Sequence, residues 1–591
     1  MPYLPILPET NPSQQMTDAF GGYNHNLKIG DGEFYDMENL TSSYYPLMAN
    51  REPRGKVTTL TKPNGLLAKS KLAYVDGTQL FYDGENITGY LTDKGCEIAD
   101  SEKQLVSMGA YIVIFPDKLF INTEDYTDCG RIEALYESAG GISYSICKVD
   151  GTAYATPTVS NAAPENPANG DLWIDTSSAT HVLKQYSSSS AIWADVITVY
   201  TKIAAPGIGK DFLRYDGVTI AGCKAEDEAI AAQIEALNGS HVIYDRGDDY
   251  IVIVGLLDKA YTQEDGAVTV TRKMPEMDFI VEAENRLWGC KYGIVDGKSL
   301  NEIYCCALGD FKNWSQFLGL STDSYVASVG TDGPWTGAVT HLGYPIFFKE
   351  TVLHKVYISS TGAHQITDTA CRGVQTGSHK SLVVVNETLY YKSVTDICAY
   401  DGSLPVSVSS QFGTERYFDA TAGSIGDKYY VSMKDRAGAF HIFVLDTARG
   451  FWHKEDAAQA LFWAKCGGEL YFIDNAVHAL WCVSGNVGEK EGAVKWSATT
   501  GLTGYNTVEQ KYISRFNLRM RLPEGSRADV FIQYDSDGFW NYAGHLEGIG
   551  TRTFMLPVRP RRCDHFQIRL EGEGEVRAYS FAKMFEVGSD G

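Results

Sequence analysis

The sequence lacks the marks by which many enzymes are recognised. It has no P-loop, no GxSxG, no HExxH and no dinucleotide-binding glycine pattern. No run approaches ~18 uninterrupted apolar residues, so no transmembrane helix is expected. The opening "MPYLPILPETNPSQQ" has neither a basic stretch nor a sustained apolar core, so it does not read as a secretory signal. The 12 cysteines include no CxxC pair, and the 12 histidines do not fall near them at ligand spacing. That pattern disfavours zinc and fits buried thiols made in a reducing cytoplasm, with Cys305 and Cys306 on alternating faces of one strand. Positive charge is also in deficit, with 51 Lys and Arg against 74 Asp and Glu, a net charge of −23. Clustered cations carry affinity for phosphate backbones, so the charge argues against a general nucleic-acid binder. An acidic wall would instead suit DNA that must slide past without friction. The deficit is uneven: residues 511–591 hold 12 basic and 11 acidic residues, leaving 39 against 63 elsewhere.

Only 19 prolines are present, but 58 glycines and 36 tyrosines, a balance that favours strands and tight turns over helices. Apolar and aromatic strand pairs broken by Gly, Asp or Asn turns recur, as in "KLAYVDGTQLFYDG" (71–84), "AYIVIFPDKLFINT" (110–123) and "GGELYFIDNAVHALW" (467–481). Phe347, Tyr390, Tyr430 and Tyr471 occupy equivalent places about 40 residues apart, the period of a β-propeller blade. The rival reading is a set of unrelated hairpins in a sandwich. The expectation is an all-β chain with a propeller of six or seven blades over 66–124 and 276–484, preceded by an N-terminal assembly segment (1–65). The period fails over 125–275, which reads as an insertion: a small β module (160–200) with Trp173 and Trp193, then an α+β unit (205–275). Its helix is expected over 225–239, with Ile230, Ile234 and Leu237 on one face and Asn238-Gly239 as the stop. Residues 485–510 read as a linker or a crossing strand. Residues 511–591 read as an antiparallel β-sandwich, in which Ile513, Phe516, Leu518, Met520 and Leu522 face inward and a bulge breaks the alternation after Ile513.

Candidate chemistry is sparse. "YDSDGFWN" (534–541) resembles a calcium loop but lacks the bidentate Glu, and a β-turn is the simpler reading. Paired carboxylates could cut glycans, but with 74 acidic residues no pair stands out. The densest basic cluster, "PVRPRRCDH" (557–565), offers Arg559, Arg561, Arg562 and Asp564 either as a contact between subunits or as a solvated turn with a local Arg–Asp pair. No catalytic residue, cofactor or metal is assigned, and the chain is expected not to be an enzyme.

The stretch "NLKIGDGEFYDMENLTSSYYPLMANREPRG" (26–55) resembles the N-terminal segment of phage virion proteins of the tail nozzle or packaged-DNA stabilisation type. The likeness lies on Asn26-Leu27, Gly30, Gly32, Asn39-Leu40, Tyr44-Tyr45-Pro46, Arg51 and Arg54-Gly55. "NRLWG" (285–289) with "ALGDFKNW" (307–314) resembles the same group's blade signature, and "GDLWIDTS" (170–177) is similar to small β inserts of phage tail proteins. The resemblance implies a structural tail protein made in the host cytoplasm and built into the virion. It would form a homo-oligomer, such as a hexameric ring, with other tail or connector proteins as partners. Viral DNA would pass its lumen without sequence-specific binding. Asn39, Tyr44, Tyr45, Pro46, Arg51, Arg54 and the basic cluster would then be assembly contacts. The alternative is a receptor- or carbohydrate-binding tail protein, or a glycan-degrading enzyme.

Overall fold

The computed structural model describes residues 13–138, 140–361, 363–504, 509–548, 550–558 and 561–587. The described chain is overwhelmingly β, with the short helices Thr88–Asp93 and Glu228–Glu235 as its only α-helical segments. Four-stranded antiparallel meanders of the propeller type follow one another over 63–86, 104–131, 279–328, 337–370, 383–407 and 418–454. A seventh uses three strands from 460–482 and takes its fourth, Gly55–Thr59, from the N-terminal part of the chain. Phe347, Tyr390, Tyr430 and Tyr471 all lie on second strands of their meanders. These strands, such as "YPIFF" (344–348), are apolar runs because both faces of each sheet are covered by neighbouring sheets. First strands pack on first strands, the turn His379–Ser381 intervenes after the fourth meander, and Ala460–Cys466 packs back on Pro63–Ala68. Between sheets the filling is aromatic: Phe347 meets Trp335, and Phe348 meets Tyr391. Burying each such ring contributes roughly 1.5–3 kcal/mol.

The insertion leaves after the second meander and re-enters at the third, so it spans 132–278 and Cys129–Arg131 belongs to the second meander. Two sheets share a core closed by the helix, which runs over Glu228–Glu235 with Asp227 as N-cap. Ile230, Ile234 and Leu237 are buried in that core. A separate four-stranded sheet, 158–195, forms the small module.

Two expectations are corrected at the chain ends. In the described part of 485–510 a crossing strand stands in place of a linker, since Lys495–Thr500 is an interior strand paired on both sides. The described residues of the N-terminal assembly segment do not form a unit of their own either. Gly22–Tyr23 extends the sixth meander at Trp452 and pairs in parallel with Glu33–Glu38, which carries the sheet on through Lys495–Thr500 into 527–573. Leu40–Thr41, Met48–Asn50 and Ser13–Thr17 join the second sheet of the C-terminal sandwich. One core therefore runs from Trp452 through Phe34 and Met37 to Phe516 and Leu570. The inward row Ile513, Phe516, Leu518, Met520, Leu522 is fully buried, and the register slips between Ile513 and Arg515. Cys305 and Cys306 are both buried, again because the meander is covered on both faces.

Candidate functional site

The residues singled out in the N-terminal segment come together, but inside the chain. Arg51 and Arg54, 7% and 4% exposed, sit where that segment crosses the sixth and seventh meanders. Arg54 donates to Glu455 at 2.6 Å and to Asp456 at 2.8 Å, with its guanidinium over the Phe472 ring. Arg51 bonds Asp456 at 3.1 Å, Glu491, and Asn39 Oδ1 at 2.7 Å, while Asn39 donates onward to the Lys495 carbonyl. Burial alone would raise the Asp456 pKa, yet the two guanidiniums hold it below its ordinary value. Gly55 fits this crossing because a Cβ there would lie 2.0 Å from the Val487 carbonyl oxygen. The reading of Asn39, Arg51 and Arg54 as contacts between subunits is thus corrected: they fasten the chain to itself, and such buried ions need these partners.

Tyr44 and Tyr45 lie nearer the surface. Arg577 covers the Tyr44 ring at 4.1 Å, and Tyr45, joined to Pro46 by a cis peptide bond, packs on Phe451. Tyr44 and Arg51 share a cleft of about 730 Å³ with Glu52, Glu524 and Glu575. In the basic cluster, Arg561 pairs with Asp537 at 3.2 Å and covers the Tyr534 ring, and Asp564 pairs with His565 at 3.0 Å. This is the local Arg–Asp turn. Arg562 is exposed, and Arg559 lies outside the described residues.

A different place brings polar groups together around an open groove. Between the third and fourth meanders a groove of about 430 Å³ is lined by Glu284, Arg286, Leu342, Tyr344, Ser359 and His364, with Ser321, Ser360, Leu308 and Ile358 completing it. Its walls are two hairpin turns. Glu284 and Asn285 adopt φ of 52° and 56°, and Leu342 and Gly343 adopt 52° and 79°. Paired positive φ values are the type I′ geometry that matches strand twist, and glycine or asparagine is the usual occupant. A leucine there is strained, and Leu342 is also 52% exposed.

The floor is polar and largely fixed. Arg286, 2% exposed, donates to the carbonyls of Cys306, Asp323 and Ser321 at 2.7–2.9 Å. The Ser359 N–H donates to His364 Nδ1 at 3.2 Å, which leaves the imidazole proton on Nε2. Burial, helped by the Arg286 charge, lowers the His364 pKa, so the ring stays a neutral donor. Tyr344 packs on Tyr357 at 5.2 Å, with Lys355 over both rings. Hydroxyls, a neutral N–H donor, an accepting carboxylate and a tyrosine face are what a sugar ring can use at once. The sequence places Asn285–Gly289 in a blade signature, next to Glu284, and does not reveal this use. The usable signal was a leucine where the turn wants Asn or Gly.

No family model matches the chain, and no curated protein matches it. Among solved structures, it is similar to an exo-β-1,3-galactanase variant from Phanerochaete chrysosporium bound to β-1,3-galactotriose. That match has 8% identity and a TM-score of 0.21, and covers 51% of this chain and 94% of that one. The extracellular domain of a B. thetaiotaomicron protein described as a hybrid two-component system matches at 8% identity and a TM-score of 0.22, covering 92% and 98%. A Trypanosoma rangeli sialidase mutant displaying trans-sialidase activity matches at 9% and 0.19, covering 97% and 96%. The expectation that the chain is not an enzyme is corrected by these matches, which include glycoside hydrolases. At such identities and TM-scores they transfer no activity and no residue to it.

Proposed function

We propose that the chain is a receptor- or carbohydrate-binding protein of a phage tail, holding a glycan in the groove between the third and fourth blades of a seven-bladed propeller. The observation that carries this reading is the groove itself. Glu284, the His364 ring and Ser359 line it beside Tyr344, between two turns held in strained conformations. Glu284 and the serines exchange hydrogen bonds with sugar hydroxyls, His364 donates through Nε2, and Tyr344 takes the apolar ring face. The phage-tail setting rests on the resemblance of residues 26–55, and the virion is the location that goes with it.

A glycan array probed with the full chain and with Glu284→Gln and Tyr344→Ala tests the reading. Each variant should weaken the bound glycan about tenfold, close to 1.4 kcal/mol, with an unchanged melting temperature. Binding that both variants leave intact rules the groove out, and release of reducing sugar from a bound polysaccharide would assign turnover as well. A second reading, a ring-forming tail component around the DNA path with other tail proteins as neighbours, is favoured by the net charge of −23. Rings with a central hole in negative stain would support it.

A further inference from the structure

The small module carries a second face whose outer rings, Tyr186 and Trp193, are only half-buried. Cross-strand register sets Trp173 opposite Lys184, Lys184 opposite Asp195, and Tyr186 opposite Trp193, so all five project from one side of the sheet. The other side is spent: Leu172, Ile174 and Leu183 are buried against Val199 and Leu256 of the neighbouring unit. On the outward side Trp193 lies 5.5 Å from Trp173 and 5.3 Å from Tyr186. Trp173, 6% exposed with its indole N–H on the Ser160 carbonyl, is the fixed support. Trp193 and Tyr186 are only half-buried on that side. Lys184 sits 3.0 Å from Asp175 and 3.8 Å from Asp195, so its charge is already answered. The adjoining turn is the serine run 187–190.

Size decides what can cover such a face. Four strands of three to six residues span roughly 15 Å by 15–20 Å at ordinary strand spacing, on the order of 250 Å². A stable protein partner needs about 800 Å² per side. A few sugar rings need no more than is present. Rigid indole and phenol rings bordered by hydroxyls suit the C–H faces of pyranoses, and the neutralised lysine gives an anion nothing to pair with.

We propose that this face is a second carbohydrate site, taking a neutral pyranose chain across Tyr186 and Trp193. It rests on the reading above only for the class of ligand, and it shares no residue with the groove. The test is an array of neutral and anionic oligosaccharides probed with the full chain, Glu284→Gln, Tyr186→Ala and Trp193→Ala, followed by calorimetric titration with the best neutral binder. At this site both aromatic variants should lose at least tenfold in affinity, while Glu284→Gln leaves it unchanged. Tyr186→Phe keeps the stacking ring and should restore binding, which separates loss of the platform from loss of the fold. Absence of binding to every neutral glycan overturns the proposal, as does binding restricted to anionic ones or binding that survives both aromatic variants. If only Glu284→Gln weakens binding, the groove reading stands and this one falls. The reverse pattern keeps this one and removes the groove.

Discussion

The crossing at Arg51 and Arg54 and the groove at Glu284 are built from the same kinds of residue and end in opposite states. At the crossing, each guanidinium meets carboxylates of the same chain, and a row of polar contacts links it to Asn39 and Lys495. At the groove, the guanidinium of Arg286 is satisfied by carbonyls, and the Glu284 carboxylate stays exposed at the rim. Positive φ occurs at both places, at Asn39 in the crossing, where an asparagine tolerates it, and at Leu342 in the groove, where a leucine does not. Charge that is paired within the chain holds a fold together. Polar groups left open, on turns that cost energy to keep, are held for something outside it.

The comparison breaks first at Arg54. Arg54→Ala takes from the buried Glu455 its 2.6 Å partner and leaves Asp456 to Arg51 alone, and the expected loss is about 3 kcal/mol, read as a lower urea midpoint and faster proteolysis within residues 13–55. Acid should act the same way, less abruptly. Because the folded Asp456 pKa is lowered, its stabilisation is complete above the unfolded value of about 3.9 and drains away as pH falls below it. Melting temperature against pH should therefore drop steeply below about pH 4, and Asp456→Asn should flatten that drop. Leu342→Gly relieves a strained φ in a residue with little to lose from burial, so it should stabilise by up to about 1 kcal/mol while weakening glycan binding. Glu284→Gln is the smallest stability change, within about 0.5 kcal/mol, with its effect confined to binding. A destabilising Glu284→Gln would put the groove in the same class as the crossing.

Local features were legible in the sequence and distant pairings were not. Hairpin alternation and the spacing of Phe347, Tyr390, Tyr430 and Tyr471 locate second strands, because period and turn chemistry act over a few residues. The same holds for the bulge after Ile513 and for the helix bearing Ile230 and Ile234. Nothing local says that Met37 will pair with Ala498, or that Arg54 will find Glu455 some 400 residues away. The aromatic and basic residues of 44–54 were visible as a motif, but their partners decide whether they face outward or inward. The groove escaped notice for a related reason: Glu284, Leu342 and His364 meet only once two meanders stand side by side.

The strand Gly55–Thr59 also puts a clock on the molecule. Its partner, Ala479–Cys482, is made about 420 residues later. At roughly 5–20 residues per second on the ribosome, that edge waits on the order of 20–80 s before it is covered. Through that interval Val57 and its neighbours are an open strand for any passing chain. The first six meanders must hold themselves together unclosed until the last strand of the seventh pairs with Gly55–Thr59.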